Sequence, residues 1–315
     1  MGAKLKKIFF IPTLTVILTS ALILIGTIQS GKSSDLSRLT LRIGLSTEVV
    51  ESDVNPNDAL AATQTWANNI RGATWEDTES MIFPDLEKTK ELLDNKRIEV
   101  VALATHEYIQ NAANLAVQPS LAYVHGGEVD LEYILLVHKD SKIEKAEDLE
   151  GKRLALPNRG RYCLAPIWLD VYLMQNHLPG KAISLGERRI VNKASQAILP
   201  VFFGQMDAAV VVRSALNIAI ALNPQIGNHL KILACSPRFV PIVVCLRESL
   251  TQTQKSGLIQ RALRLHETPS GLQTFTVFKM DRIVSWQKNY ETGVKHLMDE
   301  HEKLIKETLK VSLAW

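Results

Sequence analysis

Strand-like and helix-like stretches alternate along this chain, and that alternation limits the folds open to it. Leu39 to Leu45 alternates apolar and polar residues and reads as a first strand, and Asn55 to Ile70 follows as a helix capped by Asn57 or Asp58. Asp85 to Asn95 is a second helix, with Leu86, Leu92 and Leu93 on one side. Ile98 to Ala104 is an apolar run of strand length, and Thr105 begins the next helix. Strand, helix, strand, helix at this spacing predicts parallel β-structure covered by helices, an α/β architecture.

The same grammar continues. Leu131 to Val137 is a buried strand, and His138-Lys139-Asp140-Ser141 turns the chain outward. Ala146 to Glu150 is a helical turn stopped by Gly151, and Leu154 to Leu156 is another strand. Pro157 to Gly160 forms a loop before a helix from Pro166 to His177. Ile190-Val191 is a strand end, and Ala194 to Phe203 is a helix closed by Gly204 and kinked at Pro200. Met206 to Val212 is a strand and Ser214 to Leu222 a helix. Leu230 to Ala234 and Pro241 to Leu246 are strands, with Ser236-Pro237 as the crossing between them. The remainder reads as helical except at Pro269-Ser270-Gly271.

Charge locates the chain in the cell. Lys4, Lys6, Lys7 and Lys32 are four of the 36 basic residues, and no acid precedes Asp35. The remaining 32 basic residues face 33 acidic ones, so nothing in the folded part calls for nucleic acid. Ile8 to Ile28 is a charge-free apolar run behind that Lys-rich start, the layout of a secretory signal or a signal anchor. Ile28-Gln29-Ser30 is a poor cleavage signature, so removal and retention of the run both stay open. Gly26 to Ser33 fits the P-loop spelling G-x-x-x-x-G-K-[ST]. A working P-loop needs a short buried strand before it and a helix after it, and the preceding run is too long for that strand.

Several segments carry a family resemblance in the same order. "Asp-Leu-Glu-Gly-Lys-Arg-Leu-Ala" at 148–155, "Leu-Asp-Asn-Lys-Arg-Ile-Glu-Val-Val-Ala-Leu-Ala-Thr-His-Glu-Tyr-Ile" at 93–109, "Gly-Gln-Met-Asp-Ala-Ala-Val-Val" at 204–211 and "Glu-Thr-Pro-Ser-Gly-Leu-Gln-Thr-Phe" at 267–275 all contribute. Together, from Leu39 to Val284, they resemble the phosphate/phosphonate ABC-transporter substrate-binding family. The resemblance implies a two-lobed type 2 periplasmic-binding-protein fold, with mixed sheets flanked by helices behind the N-terminal apolar signal or anchor helix. It implies a signal or anchor at 1–32, a first lobe at 38–136, a second lobe at 137–235, and a return to the first lobe with the C-terminal helices at 236–315. The implied function is capture of a small oxyanion or phosphonate-like ligand for an ABC permease, in the periplasm or on the extracytoplasmic face. A membrane-tethered sensor or accessory subunit with the same fold is the alternative.

The chemistry-bearing residues fit binding better than catalysis. No G-x-S-x-G occurs, and His296 and His301 are five apart, a spacing that does not stack two metal ligands on one helix face. No cofactor and no metal are expected, and the chain reads as no enzyme. Arg159-Gly160-Arg161-Tyr162, just before the Pro166 helix, is the candidate anion site. A helix start supplies N–H groups and a dipole, and Arg adds bidentate donors. The bland alternative is two solvated loop arginines. In the resembled family this loop carries a Ser/Thr-rich run, which is missing here. Lys193 and Ser195 could provide a second donor set. Thr105, His106 and Tyr108 would face the cleft from the first lobe, or serve only as a helix start. Asp207 would meet an amine or order the loop, or simply end a turn. Cys235 and Cys245 are the close pair for a disulfide, with buried free thiols the commoner reading of Cys163, Cys235 and Cys245.

Overall fold

A computed structural model of the chain describes residues 39–178 and 185–312. The apolar run Ile8–Ile28 and the Gly26–Ser33 match lie outside the described residues. Among the described residues, no helix is long and apolar enough to cross a membrane. The elements are β1 (Thr40–Ser46), α1 (Pro56–Ile70), β2 (Asp77–Phe83), α2 (Leu86–Asp94), β3 (Val100–Ala104), α3 (Thr105–Asn111), β4 (Val117–Val124), β5 (Leu131–His138), β6 (Arg153–Leu156) and α4 (Ala165–Gln175). They continue with β7 (Glu187–Ile190), α5 (Ala194–Phe202), β8 (Ala208–Val212), α6 (Arg213–Leu222), α7 (Gln225–His229), β9 (Leu230–Phe239), β10 (Ile242–Arg247), α8 (Gln252–Leu263), α9 (Pro269–Phe278), β11 (Arg282–Ser285) and α10 (Thr292–Ser312).

The strands form two sheets. The first has the order β11-β4-β10-β3-β1-β2, with β1 parallel to β2 and β3, and β10 antiparallel to β3 and β4. The second has the order β7-β6-β8-β5-β9, with β6 parallel to β7 and β8, and β5 antiparallel to β8 and β9. The chain passes from the first sheet to the second between Val124 and Leu131 and returns through Val240-Pro241. Two crossings and two mixed sheets give the two-lobed α/β fold. Ser236 and Pro237 are not the crossing: they lie inside β9, opposite β5, so both β5 and the whole of β9 belong to the second sheet.

Each sheet builds its own core because its strands are apolar on the faces that helices cover. The first sheet buries two clusters. One gathers Trp66 of α1 with Leu41, Ile43, Tyr123 and Phe275; the other gathers Phe83, Leu92, Ile98 and Leu103. Fully burying each such side chain is worth about 1.5–3 kcal/mol. Gly44 in β1 is required by that packing, since a Cβ there would sit 2.3 Å from Ile98 Cδ1. The second sheet buries Tyr133, Ile134 and Leu135 of β5 with Trp168 and Leu169 of α4. Val294 and Leu297 of α10 join this second cluster, so the C-terminal helix packs on the second lobe.

Three strands differ from the sequence reading. β2 is an edge strand whose residues are mostly half-exposed, so it lacks an apolar signature. β4 contains Pro119, placed at a register shift against β10 where a missing N–H is tolerated. β11 has four residues at the other edge. α1 is capped by Asn55, whose side chain accepts from Asn57 N, with Pro56 in the first turn; neither Asn57 nor Asp58 is the cap. Pro269 starts α9 behind the Thr268 cap and does not interrupt a helix.

Candidate functional site

Parallel strands end where ligands of open α/β sheets bind, at their carboxyl edges. In the first sheet that edge carries the turn after β1, Thr47–Val49, and the start of α3. In the second it carries the 3-10 turn Gly160–Tyr162 after β6 and the start of α6. These edges meet. The turn after β1 packs against the turn after β6, and Cys163 Sγ lies 3.4 Å from Pro241 O at the return crossing. Thr105 N donates to the same Pro241 oxygen at 2.8 Å.

The centre of the contact is Glu51 against Arg161. Glu51 is 4% exposed, and its Oε1 accepts from Arg161 N at 3.2 Å and lies 3.5 Å from Arg161 Nε. Gly160 makes the approach possible. Its φ is +62°, and a Cβ there would lie 2.6 Å from the Glu51 carboxyl carbon. The 3-10 turn uses its other amides internally, as Tyr162 N donates to Arg159 O and Cys163 N to Gly160 O. The arginine loop expected to seat an anion therefore holds a carboxylate of the protein itself. The Arg161 guanidinium stands 5.5 Å from the Tyr162 ring centroid, and its Nε makes an ion pair without a hydrogen bond, leaving donor capacity unspent.

Further charges surround this pair. Lys279 caps α9 in the left-handed conformation at φ 51° and pairs with Asp53. Its carbonyl contacts His125 Nδ1 at 2.8 Å, on the first crossing segment. Ser46 Oγ donates to Glu107 Oε1 at 2.8 Å, and Ala104 N donates to Glu107 Oε2 at 2.9 Å. Burial raises the pKa of Glu51 despite Arg161 and Lys279, raises Glu48 against the pull of Arg159, and raises Glu107. Burial alone lowers His106 to about 4, and burial is the main cause that lowers His125 to about 4, so both rings are neutral at neutral pH.

The expected residues separate into groups. Arg159, Gly160, Arg161 and Tyr162 are at the lobe contact, and Arg159 acts on Glu48. Thr105 is fully buried at the same edge, and its Oγ1 and His106 Nδ1 have no hydrogen-bond partner within the protein. Tyr108 instead packs on the outer cluster of the first lobe, near Cys245, Glu248 and Glu291, so it does not face the Arg161 loop. Lys193 and Ser195 are exposed at the start of α5, where Gln196 Oε1 accepts from Asn192 N and Lys193 N. Asp207 sits at the amino end of β8, the opposite edge of the sheet, and is bound to Arg153 through N, Nε and Nη2. It orders the start of β6 and stands away from the cleft.

Sequence reasoning missed Glu51, Asp53, His125 and Lys279. The Glu51-Ser52-Asp53 run after the first strand was the available signal; Lys279 in a left-handed turn had none. The cysteines are free. Cys163 and Cys245 are buried and Cys235 is exposed, and the Cys235–Cys245 pair is divided between β9 and β10 in different sheets. His301 is only partly solvated, 3.9 Å from the Asp170 carboxylate of α4. Among the described residues no group of His, Cys, Asp and Glu could hold a metal ion.

Known proteins can now be set beside this geometry. The family model "ABC transporter, phosphonate, periplasmic substrate-binding protein" matches residues 49–290. No curated protein matches. XAC2383 from Xanthomonas citri, solved with ATP bound, is similar with a TM-score of 0.61 at 16% identity, covering 85% of this chain and 98% of its own. A binding protein component of an ABC phosphonate transporter from Pseudomonas aeruginosa has a TM-score of 0.58 at 12% identity, covering 85% of this chain and 88% of its own. PhnD1 from Prochlorococcus marinus, in complex with methylphosphonate, has a TM-score of 0.58 at 12% identity, covering 84% and 98%. At such identities the structural likeness concerns the fold, whereas the family match spans both lobes and the turns that carry Glu51 and Arg161: the chain belongs to the phosphonate ABC-transporter periplasmic substrate-binding protein family.

Proposed function

We propose that this chain captures a small tetrahedral oxyanion, phosphate- or phosphonate-like, between its lobes and presents it to an ABC permease outside the cytoplasm. The observation that carries the ligand class is Arg161: a half-buried guanidinium at the carboxyl edge of the second sheet, already contacting a carboxylate. A ligand oxyanion there would gain charge-assisted hydrogen bonds, and buried Thr105 Oγ1 and His106 Nδ1 offer further polar partners on the facing lobe. Family membership supports the extracytoplasmic setting and the permease. Removing one charged partner from a closed site costs about 2–5 kcal/mol, or about 30-fold and upward in affinity. Calorimetry with phosphate, phosphite and methylphosphonate on wild type, Arg159→Ala and Arg161→Ala is the test. Arg161→Ala should bind at least about 30-fold more weakly. Wild-type affinity in both variants would show that neither arginine holds the ligand.

A second reading, a membrane-tethered sensor or accessory subunit, is favoured by Glu51 filling the anion seat where the family loop carries hydroxyls. Reconstitution with a candidate permease and its ATPase separates the two. Stimulated ATP hydrolysis by the loaded protein supports transport; ligand binding without stimulation supports sensing.

A further inference from the structure

Resting on the oxyanion reading, we propose that Glu51 is the built-in occupant of the anion seat, a competitor that a ligand must displace from Arg161 before it can bind. Three observations meet at this residue. Glu51 comes from the first lobe and Arg161 from the second, so the contact joins the lobes as a bound anion would. Its Oε1 accepts from the backbone N–H of Arg161 and forms an ion pair with the guanidinium, in the turn that leads into α4. Gly160, in a conformation that disfavours a side chain, leaves just the room that the carboxylate fills.

Displacement imposes selection. Glu51 is tethered, so it rebinds without the translational entropy that a free ligand loses. A free monocarboxylate offers the same chemistry as Glu51 and cannot win on those terms. A tetrahedral dianion brings more charge and more acceptor oxygens to the guanidinium, and can. Glu51 thus sets a threshold that admits phosphate- or phosphonate-like dianions and rejects simple carboxylates. Burial works against that hold. It raises the Glu51 pKa, so the carboxyl is more readily protonated, and in that form it releases its hold on Arg161. The groups that face Glu51 are Arg161, Tyr162, Cys163 and Tyr133 from the second lobe, and Asp53 and Lys279 from the first. Burial also raises Tyr162, Tyr133 and Cys163, which moves those three away from the neutral range, whereas it moves Glu51 toward that range from below.

Glu51→Gln keeps the shape and an acceptor for Arg161 N while deleting the charge. Calorimetry with methylphosphonate and with acetate, on wild type and Glu51→Gln across pH 5 to 8, reads the effect. The variant should bind methylphosphonate about tenfold or more tighter at neutral pH and acquire measurable acetate binding. The wild-type affinity should gain on lowering the pH relative to the variant, the ligand's own titration being common to both. Glu51→Asp, one carbon shorter, should fall between them and serves if the Gln variant does not fold. Methylphosphonate binding by wild type with no gain in either variant overturns the proposal. Binding by neither wild type nor variant of methylphosphonate, phosphate or acetate overturns the oxyanion reading itself.

Discussion

Gly160→Ala tests the lobe contact through sterics alone. At φ +62° an Ala pays the left-handed penalty of about 1–2 kcal/mol, whether the lobes are together or apart. The contact with the first lobe is a separate cost. The new Cβ would lie 2.6 Å from the Glu51 carboxyl carbon and 3.0 Å from Glu51 Cα, so a backbone atom as well as a side chain must retreat. Overpacking of this kind typically costs about 1–3 kcal/mol and falls on the closed form only. The clash with the Glu51 backbone remains when a ligand displaces the carboxylate, so ligand affinity should still drop, by about 5-fold or more, and small-angle scattering should show a wider protein. Gly151→Ala is the control: its φ is +69°, with nothing within 4 Å of the added Cβ. It should lose comparable thermal stability and keep wild-type affinity. If Gly160→Ala and Gly151→Ala scatter and bind alike, Glu51 and Gly160 do not meet in solution and the site geometry is wrong.

Three further outcomes follow from the same structure. Asp207→Ala should lower thermal stability modestly and leave ligand affinity unchanged, because its partner Arg153 lies at the far edge of the sheet; a large affinity loss in calorimetry would return Asp207 to the cleft. Burial raises the pKa values of Glu48, Glu51, Glu99 and Glu107, so their favourable contribution is complete below the ordinary value of 4.5 and is lost as the pH rises through the raised ones. Thermal midpoints should therefore fall less steeply from about pH 5 to neutrality in Glu51→Gln than in wild type, and parallel curves would contradict this. Exposed Cys235 should react rapidly with a thiol reagent in the native protein, with buried Cys163 and Cys245 reacting only on unfolding; three fast thiols would contradict the packing of Cys163 at the lobe contact and of Cys245 in the first-lobe core.

The legible part of the fold was the part with periodicity. β3, β5 and β8 are buried throughout or nearly so, and their unbroken apolar runs announced them. β2 and β11 at sheet edges carry no such signal, and the Pro119 bulge concealed β4. The site divided the same way. A loop with two arginines before a helix pointed to the anion seat, because helix starts and guanidinium groups have known chemistry. That Glu51 lies against it, 110 residues earlier in the chain, is a tertiary fact. The alternatives for Asp207 stayed open because a residue beside a strand carries no label for which end of the sheet it occupies. The ladder settles it, with Ala208 opposite Leu154 at the amino end of both strands.

The most direct test of the central claim is a crystal structure of the wild-type protein grown with methylphosphonate. The account predicts a tetrahedral ligand between the lobes, its oxygens within hydrogen-bond reach of the Arg161 guanidinium, and the Glu51 carboxylate moved off that arginine. A ligand bound elsewhere with Glu51 still seated on Arg161 would contradict it.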